Sequence, residues 1–173
     1  TQVILSAGAM NSPKILMQSG IGPEKVLAKV GIKQIVDLPG VGENFQDHCL
    51  LGAVMWEYKE AIPPRNNFAE ATFFWKSDSG LDTPDLQPFQ IEVPYVSPVT
   101  GAKFSPPPTC WSLSPGLVRP KSRGRLYLQS SDPKAKVKVD AGYLSNLDDV
   151  KACMIGIELC REIGNSPAMK DFV

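Results

Sequence analysis

The fifteen residues GAMNSPKILMQSGIG, positions 8–22, predict a tight turn that leads into a short helix. Ahead of them, Val3-Ile4-Leu5 is typical of a short strand covered on both faces. Ser12-Pro13 favours a helix start, because serine can cap a helix and proline fits its first turn, while Ser19-Gly20 predicts its end. An open α/β sheet presents such a turn to ligands at the carboxyl ends of its strands. The same turn is common where no ligand binds, so the pattern alone leaves both interpretations open.

The segment LPGVGENFQDH, positions 38–48, predicts a polar loop that leads into another strand-like run. It contains Asn44, Asp47 and His48. Polar clusters of this kind often fix a loop through hydrogen bonds from side chains to the backbone. We therefore favour a structural role for Asp47 and His48, and we do not expect His48 to be a catalytic base.

The rest of the pattern alternates short strands and turns and ends in one long helix. The predicted elements are a helix from Glu24 to about Val30, strands at 33–38, 49–58, 69–75 and 87–93, a hairpin at 125–129 and 135–139, and a helix at 147–163. Asp132-Pro133 provides the hairpin turn, and five prolines between Pro94 and Pro120 predict loop and edge structure there. The apolar stripe of the long helix should consist of Val150, Cys153, Met154, Ile157 and Cys160.

The charge balance and hydropathy exclude two classes of partner. Eighteen Lys and Arg residues match eighteen Asp and Glu residues, so the formal net charge is zero. Without a basic surplus the chain has no broad electrostatic attraction for a polyphosphate, and we expect no nucleic-acid partner. No apolar run approaches the roughly 18 residues that a spanning helix needs, so we expect no membrane span.

The four cysteines are predicted to be buried thiols. None forms a CxxC pair and His48 is the one histidine, so the sequence predicts no metal site. A disulfide or a redox role is the alternative. Buried free thiols are typical of a reducing compartment, and we expect a cytoplasmic location.

Both ends of the sequence indicate a piece of a longer protein. The chain opens on the strand pattern of residues 1–5, with no starting Met and no polar lead-in. It closes at residues 171–173, inside a helix predicted to begin at Ser166-Pro167. Natural domains usually end in exposed, polar segments, so we expect an internal fragment.

Three stretches, in this order, resemble the glucose–methanol–choline (GMC) flavoprotein oxidoreductases. Residues 8–22 resemble the second signature of that family: small residues, Ser-Pro, two aliphatics, then Ser-Gly-aliphatic-Gly. Residues 38–48 are similar to another family stretch, with Phe45 where members usually have Leu and Cys49 where they often have Pro. Residues 120–163 look like the start of the family's C-terminal region. The chain is thus identified as a choline-dehydrogenase-like member.

The resemblance implies an α+β fold. Residues 1–49 would be the end portion of an FAD-binding α/β domain, 50–123 an antiparallel-sheet substrate-binding domain backed by helices, and 124–173 the truncated start of the C-terminal region. We expect one sheet to combine the runs at 50–58, 69–75, 87–93 and 124–139, backed by the helix at 147–163.

The resemblance also implies FAD as the cofactor. The backbone at Ala7 and Gly8 would approach the nucleotide closely, because small residues leave room there, and we expect the adenosine half rather than the ring. In the functional interpretation of the polar loop, Asn44, Asp47 and His48 pack against the flavin and order it.

Glu70 and Trp75 are the candidate substrate-binding residues. Choline-oxidising relatives have a similar Glu-Ala pair at the start of a substrate-domain strand, and a carboxylate facing a pocket would suit a cationic substrate. A solvated strand residue is the alternative for Glu70. Five aromatic residues can line an apolar wall or form core: Trp56, Phe73, Phe74, Trp75 and Trp111.

A small basic cluster lies further along the chain. We expect Lys121, Arg123 and Arg125 to be solvated or paired with Asp132 rather than to bind phosphate.

The implied chemistry is oxidation of an alcohol by hydride transfer to N5 of FAD, followed by reoxidation by dioxygen or another electron acceptor. No catalytic residue is predicted in this chain, since the resemblance puts the catalytic His beyond residue 173 and the G-x-G-x-x-G loop before residue 1. The fragment alone should therefore be inactive. Two alternatives stay open: a flavin-containing hydroxynitrile lyase of the same family, and a stand-alone binding or structural module without catalysis.

Overall fold

The computed structural model describes residues 2–52, 54–65, 67–69 and 71–173. Its elements are α1 (Gly8–Gln18), α2 (Glu24–Ala28), β1 (Cys49–Leu50), β2 (Met55–Glu57), β3 (Phe89–Ile91), α3 (Pro98–Phe104), β4 (Cys110–Ser114), β5 (Gly116–Leu117), β6 (Arg125–Tyr127), β7 (Lys138–Asp140), α4 (Leu147–Gly164) and a 3₁₀ turn (Pro167–Met169). Contacts divide the chain into two compact units. The first unit joins Thr1–Asp47 to Ser122–Ser145, and the second joins His48–Lys121 to Asn146–Val173.

Helix α1 of the first unit begins five residues earlier than the sequence predicts, at Gly8 instead of Pro13. Ala7 is its N-cap residue, and Pro13 lies inside the helix rather than in its first turn. The Oγ of Ser12 accepts a hydrogen bond from the Ala7 N–H at 3.0 Å. Ser12 therefore bonds to the backbone N–H of the N-cap residue, five positions before it, and is not itself the N-cap. The predicted end is confirmed: the helix stops at Gln18, and Gly20 has a left-handed φ of 78°.

Two of the strands predicted for the first unit are absent from the described residues. Residues 3–5 form no strand, and Val3 and Ile4 are 82% and 80% exposed. A strand covered on both faces needs neighbouring strands, and no described segment pairs with this one. The run at 33–38 is reduced to a single parallel bridge between Ile21 and Val36. Apolar composition was therefore insufficient to predict a strand at either place.

The hairpin is confirmed as an antiparallel pair of β6 and β7, with Leu126 opposite Val139. Its turn is closed by Asp132, whose Oδ1 accepts a hydrogen bond from the Lys134 N–H at 2.8 Å. Its membership in the predicted four-run sheet is wrong, because in the described part of the chain β6 and β7 form a separate two-stranded sheet and belong to the first unit. Turn chemistry is local, whereas the partner of a hairpin is decided by packing.

The core of the first unit connects α1 to the hairpin. Met17, Leu27, Val41 and Leu128 are buried together. On the surface of the same contact, the Lys14 Nζ donates a hydrogen bond to the Pro133 carbonyl at 2.8 Å.

In the second unit, β4 is the central strand of a three-stranded antiparallel sheet in the order β2-β4-β3. All five of its residues are buried. The prediction of mostly loop and edge structure between Pro94 and Pro120 was wrong at this strand, because the prolines flank it, at 106–108 and at Pro115, instead of interrupting it. Trp111 and Leu113 pack in one cluster with Cys160 of α4.

The other strand predictions for this unit are confirmed only in part. The run at 49–58 splits into β1, which pairs with β5, and β2. The run at 69–75 contributes isolated bridges, from Thr72 to Phe89 and from Trp75 to Leu86. An α+β fold with antiparallel sheets and a backing helix is nevertheless what the structure has.

Helix α4 is confirmed, but its buried stripe differs from the prediction. Asn146 caps it, with Oδ1 accepting a hydrogen bond from the Asp148 N–H at 2.9 Å. The buried positions are Asp149, Ala152, Cys153, Gly156, Cys160 and Gly164. Met154, predicted to be buried, is 63% exposed. Small residues line the buried face because the helix backbone lies directly against the sheet side chains.

Gly156 and Gly164 show how close this approach is. A methyl group on Gly156 would lie 2.9 Å from the Pro115 Cβ, and one on Gly164 would overlap the ring of Trp56. Glycine at these two positions is therefore a packing requirement.

Replacing Gly164 with alanine should lower the free energy of unfolding by about 1–3 kcal/mol, because the Trp56 ring would have to move. Urea denaturation of the protein measures this change. Gly40→Ala is the matched control: a methyl group there meets no atom within 4 Å, so its effect should stay within about 0.5 kcal/mol. Equal effects of the two substitutions would contradict the close approach of α4 to the sheet.

Candidate functional site

Ala7 and Gly8 form an exposed turn at the N-terminal end of α1. Gly8 has a left-handed φ of 81°, a conformation that favours glycine. A methyl group built on Gly8 would meet no atom within 4 Å. Open space therefore adjoins the backbone here, and no acidic side chain lies in the first turn of the helix.

The polar loop is tied to the hairpin by backbone hydrogen bonds. The Gly42 carbonyl accepts a bond from the Leu126 N–H at 2.6 Å, and Phe45 and Gly124 exchange two bonds of 2.9 and 2.8 Å. Between these ties, Asn44 has a left-handed φ of 61°, which asparagine tolerates better than most residues. The shape of the loop is thus set by a segment about eighty residues later in the chain.

Asp47 has a side-chain partner that the sequence did not indicate. The hydroxyl of Tyr143 donates a hydrogen bond to the Asp47 Oδ2, and both residues are exposed. The two residues are 96 positions apart. No local pattern links them, so sequence reasoning missed Tyr143.

The predicted site residues are only partly brought together. Asn44 and Asp47 share one loop of the first unit, as do Ala7 and Gly8 at the start of α1, but no described hydrogen bond joins the two pairs. His48 and Trp75 belong to the second unit, where His48 is exposed just before β1. Glu70 lies outside the described residues.

The aromatic residues divide into core and surface. Trp56 and Trp111 stack with ring centroids 4.8 Å apart, and Trp111 is buried. The Trp56 Nε1 donates a hydrogen bond to the Asn165 Oδ1 at 2.9 Å. Trp75 and Phe74 are 50% and 59% exposed. The core interpretation therefore holds for Trp111, whereas Trp56 is partly buried against it and Trp75 presents half of its surface to solvent.

Two residues of the basic cluster, Lys121 and Arg125, are solvent-exposed as expected, and each forms an ion pair with an aspartate other than Asp132. The Lys121 Nζ lies 2.7 Å from the Asp148 Oδ2, and the Arg125 Nε lies 3.6 Å from the Asp140 Oδ2. The hydrogen bond and charge of Asp148 raise the pKa of Lys121, and Lys121 lowers the pKa of Asp148. Both pairs are exposed and contribute little to stability. Asp132 instead offers its backbone carbonyl to the Gln18 side chain.

A cleft of about 700 Å³ lies in the second unit. It is lined by Trp56, Glu57, Gly164, Asn165, Ser166, Pro167, Lys170 and Val173. Of the five aromatic residues that could form a pocket wall, Trp56 lines this cleft. The predicted FAD-site residues and Trp75, all within the described part of the chain, do not line it.

The cysteines have the properties of structural thiols. All four are free; three are buried, and Cys49 is half-buried. Burial raises the pKa of the Cys160 thiol to about 12. Burial first, and then the neighbouring Cys49, raise the pKa of Cys153 to about 12. Such thiols stay protonated and react poorly at neutral pH.

The described residues contain neither a metal centre nor a spanning helix. No group of three or more His, Cys, Asp or Glu side chains among them could hold a metal ion. Of the helices formed by the same residues, none is both long and apolar enough to cross a membrane.

Family models match both parts of the chain that carry the motifs. The N-terminal model described as "GMC oxidoreductase" matches residues 1–50, and the C-terminal model with the same description matches residues 120–172. The chain belongs to the GMC oxidoreductase family. The family prediction is confirmed, as is FAD as the cofactor of that family.

Relatives match nearly the whole chain, including the middle that carries no motif. Choline oxidase from Arthrobacter globiformis is 37% identical over 99% of this chain and 32% of its own length. An oxygen-dependent choline dehydrogenase from Photobacterium profundum is 33% identical over 99% of this chain and 34% of its own length. This 173-residue chain thus spans about a third of the length of these relatives.

Solved structures support the fold. The crystal structure of pyridoxine 4-oxidase from Mesorbium loti matches with a TM-score of 0.85 and 29% identity, over 96% of this chain and 33% of that one. Formate oxidase matches with a TM-score of 0.81 at 22% identity, over 99% of this chain and 38% of that one. The α+β prediction is confirmed by these likenesses.

The raised pKa of the Cys160 thiol predicts a loss of stability in alkali. The native thiol stays protonated up to about pH 12, whereas in the unfolded chain it ionises near its ordinary pKa of 9. The free energy of unfolding should therefore be unaffected by this group below pH 9 and fall between pH 9 and 12, by about 1 kcal/mol per pH unit. Urea denaturation at a series of pH values measures the slope.

The control for this prediction is Cys160→Ala, which removes the titrating group. Its free energy of unfolding should fall less steeply above pH 9 than that of the unsubstituted protein. Parallel slopes would contradict the assignment.

Proposed function

We propose that this chain is part of an FAD-dependent oxidoreductase that oxidises the CH–OH group of an alcohol. Bound FAD would supply the hydride acceptor at N5, and dioxygen or another electron acceptor would reoxidise it. The observation that carries the proposal is the match of 37% identity to choline oxidase over 99% of the chain. Relatives named choline dehydrogenase and alcohol dehydrogenase support the same reaction class.

We assign the chain to three parts of the whole enzyme. Residues 1–49 would complete an FAD-binding domain, 50–123 would form substrate-binding structure, and 124–173 would begin the C-terminal region. The two family matches, to residues 1–50 and 120–172, support the outer two assignments. The two compact units cut across these parts, because the hairpin packs on α1 of the first part.

The turn at Ala7 and Gly8 fits the approach of a nucleotide. Its backbone is exposed, Gly8 leaves open space, and the first turn of α1 carries no carboxylate that would repel an anionic cofactor. We propose that this backbone lies beside the adenosine half of FAD. The role of Ala7 and Gly8 would be to bind and orient the cofactor.

The loop of Asn44, Asp47 and His48 would contact the flavin in the same enzyme. Its support is geometric: two backbone ties and a left-handed Asn44 give the loop a defined shape before any ligand binds. A loop that is already ordered binds a ligand at a smaller entropic cost. We propose that these three residues order the flavin rather than take part in proton transfer.

Glu70 and Trp75 are our candidates for substrate binding. A carboxylate beside an aromatic face attracts a cationic alcohol by charge and by the ring quadrupole. Trp75 is half exposed, so its ring is accessible to a ligand. The catalytic groups would come from parts of the enzyme outside these 173 residues, and this fragment alone would be inactive.

The free thiols support a reducing environment. We accordingly propose a cytoplasmic location for the enzyme.

The test is anaerobic reduction of the flavin in the whole protein encoded by the full reading frame. Purified protein should be yellow, and addition of choline or a simple primary alcohol should bleach the flavin band, because the hydride moves onto the flavin. Air should restore the colour if dioxygen is the acceptor. The 173-residue fragment, mixed with FAD, should stay inactive.

Other outcomes of this experiment identify the rivals. Cyanohydrin cleavage without bleaching would indicate a hydroxynitrile lyase that keeps the flavin. A cooperative melt of the fragment, together with no flavin in the whole protein, would indicate a binding or structural module. Either result would replace the proposed function.

Glu70→Gln in the whole enzyme should lower kcat/KM for choline by about tenfold, which corresponds to about 1.4 kcal/mol of lost charge attraction. The value for a neutral alcohol of similar size should change little. Glu60→Gln, an exposed carboxylate ten positions earlier, is the control. Equal losses for charged and neutral alcohols would show that Glu70 does not recognise the cation.

A further inference from the structure

We propose that Tyr143 is a positioning residue for the polar loop, which we propose contacts the flavin. Through its hydrogen bond to Asp47, Tyr143 would hold residues 43–47 of this loop in the conformation that binds the cofactor. The inference rests on the proposed function, since it concerns how the same cofactor site is organised. It assigns a role to a residue that lies 96 positions from its partner.

Three ties join the loop to the segment 124–143. Two are backbone contacts, at Gly42 with Leu126 and at Phe45 with Gly124. The third is the hydrogen bond from the Tyr143 hydroxyl to the Asp47 carboxylate. The backbone ties hold the first part of the loop, up to Phe45. Among the described contacts, the hydrogen bond between Tyr143 and Asp47 is the one that holds the last part of the loop.

The position of Tyr143 is itself determined by close backbone packing. A methyl group on Gly124 would overlap the Asp140 carbonyl, and one on Gly142 would lie 2.5 Å from the Arg123 carbonyl. Gly142 and Leu144, on either side of Tyr143, have left-handed φ values of 62° and 56°. The backbone beside Tyr143 is therefore packed against residues 123 and 124, and Gly124 is the residue that pairs with Phe45 of the loop.

The hydrogen bond between Tyr143 and Asp47 should affect the conformation of the loop more than the stability of the core. Tyr143 is 50% exposed, and Asp47 is exposed as well. A hydrogen bond to a charged group at the surface contributes little to global stability. Its loss frees the end of the loop, so the effect should fall on cofactor binding and not on unfolding.

The alternative is that the hydrogen bond between Tyr143 and Asp47 is a surface contact with no effect on cofactor binding. In that case Tyr143 would resemble Tyr127, a partly buried tyrosine of β6 whose ring lies near Arg125 and Lys138. Tyr127 lies in the same segment, residues 124–143, but has no described contact with Asp47. It is therefore the matched control, since Tyr127→Phe also removes one hydroxyl from the same segment.

The experiment measures the Kd for FAD of the whole enzyme after removal and readdition of the cofactor. Tyr143→Phe should weaken FAD binding by about 5- to 10-fold, as expected for loss of one solvent-exposed hydrogen bond. Tyr127→Phe should leave the Kd unchanged. The melting temperature of the apoprotein should be the same for both variants and the unsubstituted protein.

A double-mutant cycle decides whether Tyr143 acts through Asp47. Asp47→Ala should weaken FAD binding, and adding Tyr143→Phe to it should weaken binding no further. Asp47→Asn keeps an acceptor oxygen and should retain most of the affinity. The visible circular dichroism of the bound flavin should change in Tyr143→Phe, and the double variant should give the same spectrum as Asp47→Ala alone.

Three results would overturn the inference while leaving the proposed function intact. They are an unchanged Kd in Tyr143→Phe, additive losses in the double variant, and a fall in the apoprotein melting temperature that accounts for the weaker binding. Failure of the unsubstituted enzyme to bind FAD would instead overturn the proposed function and this inference with it.

Discussion

Direct contact of backbone with backbone at three glycines is the constraint on which the first unit depends. Gly42 lies against the Leu126 carbonyl, Gly124 against the Asp140 carbonyl and Gly142 against the Arg123 carbonyl, and a side chain at any of them would meet these oxygens. Because no side chains separate the segments, the loop, the hairpin and the bend after it form one piece of structure. A loop that would otherwise be free to sample many shapes is confined to one, at the expense of backbone entropy.

In the second unit, residues with small side chains likewise allow close packing, here between a helix and a sheet. Glycine and alanine on the buried face of α4 let it approach Pro115 and Trp56. The apolar surface is then provided mainly by the strands and their neighbours, from Leu86, Trp111, Leu113 and Leu117. This division explains why a search for large apolar residues along the helix selected Met154, which faces solvent.

Local signals predicted what local chemistry determines. The hairpin followed from Asp132-Pro133 and the end of α1 from Ser19-Gly20. Predictions failed where a partner was needed. The strand at residues 3–5 has no described neighbour, the hairpin joins α1 instead of a larger sheet, and Lys121 pairs with Asp148 rather than Asp132. Of the candidate site, the loop residues could be named from the sequence, but Tyr143 could not.

By itself, the sequence determined the family, the α+β class and the positions of the glycine turns, because motifs and turn residues act over a few positions of the chain. Only the tertiary structure decided which segments share a surface. Tyr143 meets Asp47, and Gly124 meets Phe45, through contacts between residues about eighty to a hundred positions apart. Such contacts depend on which backbones can approach without intervening side chains, and that is a property of the packed fold rather than of any stretch of sequence.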